Sequence, residues 1–585
     1  MTIADNLTLL NSTKQDIKAA IEAKGVDMTD VPFTDYDTKI GEITTGGAIP
    51  IIPDYTPWTR NAQWLTLPTV NASDDEQIIM LVRVDNTTYN ELIFSMQGAY
   101  TVDWGDGTVT NYASGAVAYR NYDYNNVALD GTLTSDGYKQ AICKVTLQAA
   151  GTTFSRIDFN ISTGKLSSSR TKPVLDMIIH SRNAATYLLG GFSTYNFTIC
   201  ERVELVTYDR TNAASLFSGF FNLQKLVLRN DALNLVQNTS SMFSDCYAIK
   251  EIPYFNVSGV TTSTSMFSSC YELVDIAAFN FAYTTISAGG MFQACYSLVD
   301  LRHVTLANPT TLAQAFQTCY SLEYLPTFGT MANCTSYSSA FNACYSLLEV
   351  PTNLNMSAAT NLTSAFFDCK SLKELPAITI TNPSAASMFS GCNSLKKIGT
   401  LTANSLTSGT SIFNQCFSLD LSNVNMSFNS LISGSSMFSQ VGSSKITFTS
   451  AVNMTGSVNS MFAGSNAIRL RDLVINANFV GVTDCGSMFS GQQLLDEINI
   501  TTFTTNGTAS TTNMFSNCFN LKKLILGGFN QTFTIAGCSL GATELDALYT
   551  SLGTVTGKTI TVTGNPGTTG DNPSIATAKG WTVTG

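Results

Sequence analysis

Histidine is almost missing from this 585-residue chain, which carries only His180 and His303. Nucleophilic catalysis of the Ser-His-Asp type needs a positioned base, so none is expected. Charge is scarce as well: Asp, Glu, Lys and Arg make up 12% of the residues, and 42 acids against 31 Lys and Arg leave a net charge of -11. Gripping a phosphate backbone takes clustered Lys and Arg, which excludes nucleic acid as a main partner. There is no Cys-x-x-Cys pair for zinc, no P-loop and no glycine-rich dinucleotide turn, so neither a zinc site nor a cofactor is expected. No run of 18 apolar residues and no basic-apolar-small leader at Met1 is present. Membrane insertion and Sec export are accordingly not expected.

What the chain has in quantity is self-similarity. A phrase built on Met-Phe-x-x-Cys-x-Ser-Leu recurs thirteen times between Leu216 and Leu526, anchored at Phe217, Phe243, Phe267, Phe292, Phe316, Phe341, Phe366, Phe389, Phe413, Phe438, Phe462, Phe489 and Phe515, at intervals of 23 to 27 residues. Such a period marks a solenoid, whose units bury their apolar faces only against neighbours. In nine copies a cysteine follows three residues after the Phe (Cys246, Cys270, Cys295, Cys319, Cys344, Cys369, Cys392, Cys416, Cys518), and an aliphatic such as Leu298, Leu322, Leu347 or Leu372 comes three later. Cysteines in one slot of successive repeats form a column of small buried residues rather than disulfides. The i, i+3, i+6 stripe predicts one helical turn per repeat, and the following Leu-x-x-Leu predicts a short strand.

Units such as "SMFSSCYELVDI" and "AFQTCYSLEYLP" resemble BspA-type leucine-rich repeats, found on bacterial surface antigens and in phage structural proteins. At the spacing of paired strands, about 4.8 Å, thirteen repeats make a rod on the order of 60 Å long. Residues 166–215 read as the amino-terminal cap of this solenoid, 216–540 as the α/β repeats, and 541–585 as a helix-strand cap at the other end. In that last cap Thr543 is expected to open a helix, Asp546 to support it in a capping-box-like way and Gly553 to stop it, and the "ATAKGWTVT" ending is similar to that of phage repeat proteins and reads as a complete end.

Ahead of the repeats, residues 1–47 form a helical attachment segment. Ile3, Leu7, Leu10, Ile17 and Ile21 follow an a/d heptad seam, which reads either as an oligomerising helix or as an amphipathic helix lying on the next domain. A second short helix is expected over "FTDYDTKI", and Thr44 to Pro57 read as a linker. The opening phrase resembles that of tailed-phage fibre and structural proteins, which implies attachment to a virus particle. Residues 48–165 alternate as strands of a β-sandwich. Within them, Val102-Asp103-Trp104-Gly105-Asp106-Gly107 resembles the W-G-D-G signature of polycystic-kidney-disease-type immunoglobulin-like domains, implying a packed Trp and a tight turn. The carboxylates of Asp103 and Asp106 shape that turn or hold Ca²⁺.

Two surface rows are candidates for function. Tyr247, Tyr271, Tyr296, Tyr320 and Tyr345 follow the repeat cysteine in five consecutive copies, with Lys370, Asn393 and Phe417 next in the slot. They form a receptor-binding ladder, or they stack on each other and cover the core; Tyr324, Arg302 and His303 share the strand surface. The acids Asp275, Asp300, Glu323, Glu349 and Glu374 occupy related strand positions. They are either a solvated face or the carboxylate pair of a glycoside hydrolase, and the solvated face is preferred. The resulting expectation is a non-enzymatic, homo-oligomeric (trimeric) phage fibre located on the virion, joined to tail or baseplate proteins and binding a host-surface glycan or protein. A capsid decoration and a bacterial surface adhesin remain as alternatives.

Overall fold

A computed structural model describes residues 58–585, except 87–89, 150–155, 160–171, 183–188, 191–196, 283–285, 382–383, 423, 425, 448–451, 465–469 and 476. The heptad seam of Ile3, Leu7, Leu10, Ile17 and Ile21, the second short helix and the linker to Pro57 lie outside the described residues.

Strands β1 (Gln77–Val84), β2 (Glu91–Gln97), β3 (Tyr100–Asp103), β4 (Val109–Tyr112), β5 (Val117–Asn121), β6 (Lys139–Leu147), β7 (Arg156–Asp158), β8 (Val174–Ser181), β9 (Leu189–Gly190), β10 (Arg202–Tyr208) and β11 (Lys225–Leu228) form two sheets. Their orders are β11-β10-β8-β1-β6-β3-β4 and β5-β2-β7-β9. Phe94 on β2 packs against Tyr100, Trp104 and Phe159, so the two sheets share a core. On β1 alternate residues serve opposite faces, as the pleat requires. Ile78, Met80 and Val82 join the main core, while Leu81 packs with Trp64 and Ile79 with Val70 beneath the segment that precedes the strand. The larger sheet has no edge at β8, which pairs antiparallel with β1 and parallel with β10. Through β10 and β11 it runs straight into the stacking direction of the repeats.

From there the chain is a repeat β-solenoid with few helices. Successive repeats pair in parallel through very short strands, such as Glu251–Ile252 with Asp275–Ile276, or Asn280–Phe281 with Thr305–Leu306 and Thr327–Phe328. A further line of single bridges runs through Asn212, Asn238, Thr262 and Ser287. The apolar columns foreseen in the repeat are all inside: the thirteen Phe rings, the nine cysteines and Leu298, Leu322, Leu347 and Leu372 are buried. From Phe217 to Phe515 each ring stacks on the next at centroid distances of 4.8 to 5.9 Å.

The helical turn expected around each Phe does not form. In the repeat of Phe267, the amides of Met266, Ser268 and Cys270 bond three residues back, to Ser263, Ser265 and Phe267. Those between them, Ser265, Phe267 and Ser269, donate instead to Gly289, Met291 and Gln293 of the next repeat at 2.7 to 2.8 Å. A helix would bond every amide internally and leave none for the neighbour. The alternation requires left-handed backbone on both sides of the ring, and Ser265 (φ 54°) and Ser269 (φ 62°) supply it. The same pair of positions is left-handed around Phe243, Phe292, Phe316, Phe341, Phe366, Phe389, Phe413, Phe438, Phe489 and Phe515. Each such L-residue costs roughly 1–2 kcal/mol. The inter-repeat hydrogen bonds, worth about 1 kcal/mol each, offset that strain.

The far end closes with a helix at Ala542–Ser551, a short helix at Ser574–Thr577 and a parallel sheet ending in Trp581–Thr584. Gly541, not Thr543, stands at the helix N-cap. Asp546 turns away from the helix start and accepts the Asn572 amide at 2.6 Å. Trp581 donates its Nε1–H to the Gly553 carbonyl at 2.8 Å.

Candidate functional site

The five tyrosines of the repeat slot form one continuous stack. Their centroids are 4.6, 4.7, 4.9 and 5.0 Å apart, with ring planes within 12° of parallel. Two further groups extend the row: Phe221 stacks on Tyr247 at 4.5 Å, and Lys370 places its Nζ 4.1 Å from the centre of the Tyr345 ring. The faces of all five rings are thus covered by neighbours, and the half-exposed row offers solvent the ring edges and hydroxyl tips. Partial burial, then Tyr271 and Tyr320, push the Tyr296 phenol above its ordinary value. Its hydroxyl keeps its proton and can donate at neutral pH. Phe221 was missed because the Cys slot before it holds Phe220, which hides the register in the first repeat.

Beneath the ladder the cysteines do more than fill space. The Cys270 thiol donates to the Phe243 carbonyl at 3.2 Å, and the bond repeats for Cys246, Cys295, Cys319, Cys344, Cys369, Cys392, Cys416 and Cys518 onto the Phe of the preceding repeat. Each carbonyl also accepts the backbone amide three residues on, as Phe267 does from Cys270 at 3.1 Å, Phe217 from Phe220 and Phe489 from Gln492, so both of its lone pairs are used. Where the slot holds Gln492, its side-chain amide donates to the Phe462 carbonyl in the same way. All fourteen cysteines are free and buried. Burial pushes the Cys319 thiol up to about 12, which makes it a poor nucleophile.

On the strand surface Arg302 grips Asp300 through three side-chain bonds of 2.6 to 3.1 Å and lies over the Tyr324 ring at 3.9 Å. His303 sets its Nε2 against the Ile276 carbonyl at 2.8 Å and Asp275 at 3.3 Å. Burial raises the Asp300 pKa, and the bonds from Arg302 outweigh it, leaving the carboxyl below its usual range. A general acid needs the opposite shift. Glu374 stands opposite Lys397 in register, and Glu323 and Glu349 face solvent in part or fully.

In the sheet region Trp104 is buried and accepts the Tyr122 hydroxyl on its carbonyl at 3.0 Å. Asp103 accepts the Gly105 amide at 3.0 Å, and Asp106 accepts the Thr108 amide at 3.1 Å and Arg120 Nε at 2.6 Å. Both carboxylates are therefore engaged in shaping the turn. Gly105 is required there: its φ is +72°, and a Cβ would sit 2.3 Å from the Ile142 carbonyl. Among the described residues no cluster of three or more metal-ligating side chains occurs, and no helix is long and apolar enough to cross a membrane.

Comparison with known proteins gives one family. The family described as "Mycoplasma protein of unknown function, DUF285" matches residues 211–327, 310–452 and 449–532. Solved structures that match include a leucine-rich repeat protein from Bacteroides ovatus (16% identity, 64% of this chain and 91% of that one, TM-score 0.32). An internalin from Listeria monocytogenes matches at 13% identity over 63% of this chain and 82% of that one, with a TM-score of 0.17. A plant peptide hormone receptor in complex with its peptide matches at 12% identity over 62% and 60%, with a TM-score of 0.18. No curated protein matches the chain.

Proposed function

Because the chain belongs to the family described as "Mycoplasma protein of unknown function, DUF285", a description that assigns no role, we propose from the geometry that it is a surface-binding appendage of a phage particle. In this reading the amino-terminal segment attaches a trimer to tail or baseplate proteins. The Trp104 turn belongs to an immunoglobulin-like spacer of the polycystic-kidney-disease type, and the solenoid meets a glycan or protein on the host. Its task is binding without catalysis. The observation that carries the proposal is the unbroken row from Phe221 to Lys370, one ring edge per repeat along a stiff, weakly charged rod. A row repeated in each of several joined copies multiplies weak contacts through effective concentration.

The test replaces Tyr247, Tyr271, Tyr296, Tyr320 and Tyr345 together by Phe, which keeps the stack and removes the hydroxyl tips, and compares adsorption to host cells with the parent. A large loss of adsorption at unchanged melting temperature supports the ladder as the contact; unchanged adsorption removes it. A second reading is a bacterial surface adhesin, and the observation in its favour is that the family description names a bacterial source. Finding the protein on uninfected cells would decide for the adhesin and against the phage particle.

A further inference from the structure

The strand ladder through Asn280–Phe281, Thr305–Leu306 and Thr327–Phe328 stops, and a new one begins at Ile378–Thr379 and continues through Leu401–Thr402 and Met426–Ser427. The repeat between them contributes residues 351–358, which form two turns and no strand. The sequence explains the break. Pro326 and Pro376 hold the same slot as Pro351 ahead of strands that do pair, so proline is not the cause; here the Pro351 carbonyl closes a turn with the Leu354 amide at 3.0 Å. Asn355 then draws the Ser357 amide onto its own side chain at 2.9 Å, a local bond that competes with strand pairing. The segment is nonetheless fixed: Asn353 donates its side-chain amide to the Phe328 carbonyl, and the buried Tyr337 donates its hydroxyl to the Asn355 carbonyl at 2.8 Å.

The break leaves a cleft of about 500 Å³. Leu354, Met356 and Ile378 are its buried apolar residues, while Thr352, Asn355, Ser357 and Thr379 are exposed along it. Ile378 and Ile380 send their amides to Thr400 and Thr402 of the following repeat at 2.9 and 2.8 Å. Successive backbone groups of a strand point to opposite sides, so the N–H and C=O of Thr379 point into the cleft. Among the described residues no Asp, Glu, Lys or Arg lines it. Two other cavities among the described residues are unlike it. One, of about 570 Å³, is lined by Arg471, Asp472, Asp496 and Glu497. The other, of about 330 Å³, is lined by Arg60, Asp176, Arg202, Glu204 and Arg229, whose charges pair with one another.

We propose that the cleft between residues 352–357 and Thr379 is a binding site for a neutral saccharide. Hydroxyls, a side-chain amide and a backbone donor and acceptor match the many hydroxyls of a sugar, and Leu354 and Met356 offer an apolar floor to its C–H face. The absence of charged side chains disfavours sulfated or carboxylated glycans, whose anionic groups would lose water with no cation to replace it. The volume lies within the range of small-molecule sites, roughly 300–1,000 Å³. The proposal rests on the surface-binding reading and names the ligand class.

The experiment is an array of neutral oligosaccharides of glucose, galactose, mannose and N-acetylglucosamine, with sulfated and sialylated counterparts, probed with the full chain. Thr379→Trp and Ser357→Trp fill the cleft from exposed positions and are run beside it with their melting temperatures. The expected result is retention of at least one neutral glycan, weakened at least tenfold by either variant at unchanged melting temperature. Should one variant unfold, the other decides. Binding restricted to charged glycans, no glycan bound, or neutral binding untouched by the variants overturns the proposal. Parent protein that still adsorbs to cells in those cases leaves the surface-binding reading standing; parent protein that fails to adsorb ends that reading as well.

Discussion

Removing one ring from the middle of the Phe stack should cost more than any other single truncation in the solenoid, and the damage should stay local. Phe316 is fully buried between Phe292 and Phe341, each with its centroid 5.5 Å away. Truncating a buried Phe to Ala costs about 3–5 kcal/mol through lost burial and the cavity left behind. Two stacked contacts, each worth about 0.5–1.5 kcal/mol beyond area, place Phe316→Ala at the upper end of that range. Because each repeat touches only its neighbours, the lost contacts belong to three successive turns. Hydrogen exchange should therefore speed up around Phe292, Phe316 and Phe341 and stay slow around Phe489 and Phe515, while denaturant unfolding reports the total. Leu235→Ala, at a side chain that is 57% exposed, serves as the control and should change stability by no more than about 0.5 kcal/mol. A loss below about 2 kcal/mol for Phe316→Ala, or an even loss of protection along the whole solenoid, would refute the reasoning.

Three further outcomes follow from the same geometry. Ala294 sits at φ 60°, in the slot where Gly391 and Gly491 occur in other repeats, so Ala294→Gly should raise the melting temperature and Ala294→Val should lower it. The buried thiols should resist iodoacetamide at pH 8 in the native protein and react fully in denaturant; rapid native labelling of Cys295 or Cys319 would contradict the column. The contact with Asp275 raises the His303 pKa, so its contribution to stability is complete below the unfolded value of about 6.5 and is lost as pH rises through the folded value. In Asp275→Asn, the His303 titration followed by NMR should move to lower pH, and an unmoved midpoint would dismiss the contact.

The columns were legible in the sequence because a solenoid writes its core as a period: Phe267, Cys270 and Leu273 recur together with Phe292, Cys295 and Leu298, and burial follows directly. The path between those residues was not legible. An i, i+3, i+6 stripe suits a helical turn as well as the alternating turn that forms, and the deciding feature is left-handed backbone at Ser265, Ser269 and Ala294, residue types that carry no glycine signal for it. The tyrosine slot showed which rings are adjacent; that their faces are used on one another follows from spacings of 4.6 to 5.0 Å, which needed coordinates. The thiol bond to the preceding Phe carbonyl joins residues 26 to 29 apart and depends on a register that composition does not record. The same holds for Asp176, buried between Arg60 and Arg202, since partners 116 and 26 residues away meet only through the sheet. The cleft was not legible either: Pro351 shares its slot with Pro326 and Pro376, which precede paired strands, and the cleft also needs Thr379 from the next repeat.

The measurement that tests the central claim most directly is electron microscopy of intact phage particles labelled with antibody raised against residues 211–532. Label at the tips of tail or baseplate appendages is the predicted result. Particles that carry the gene and show no label at any surface would contradict the account.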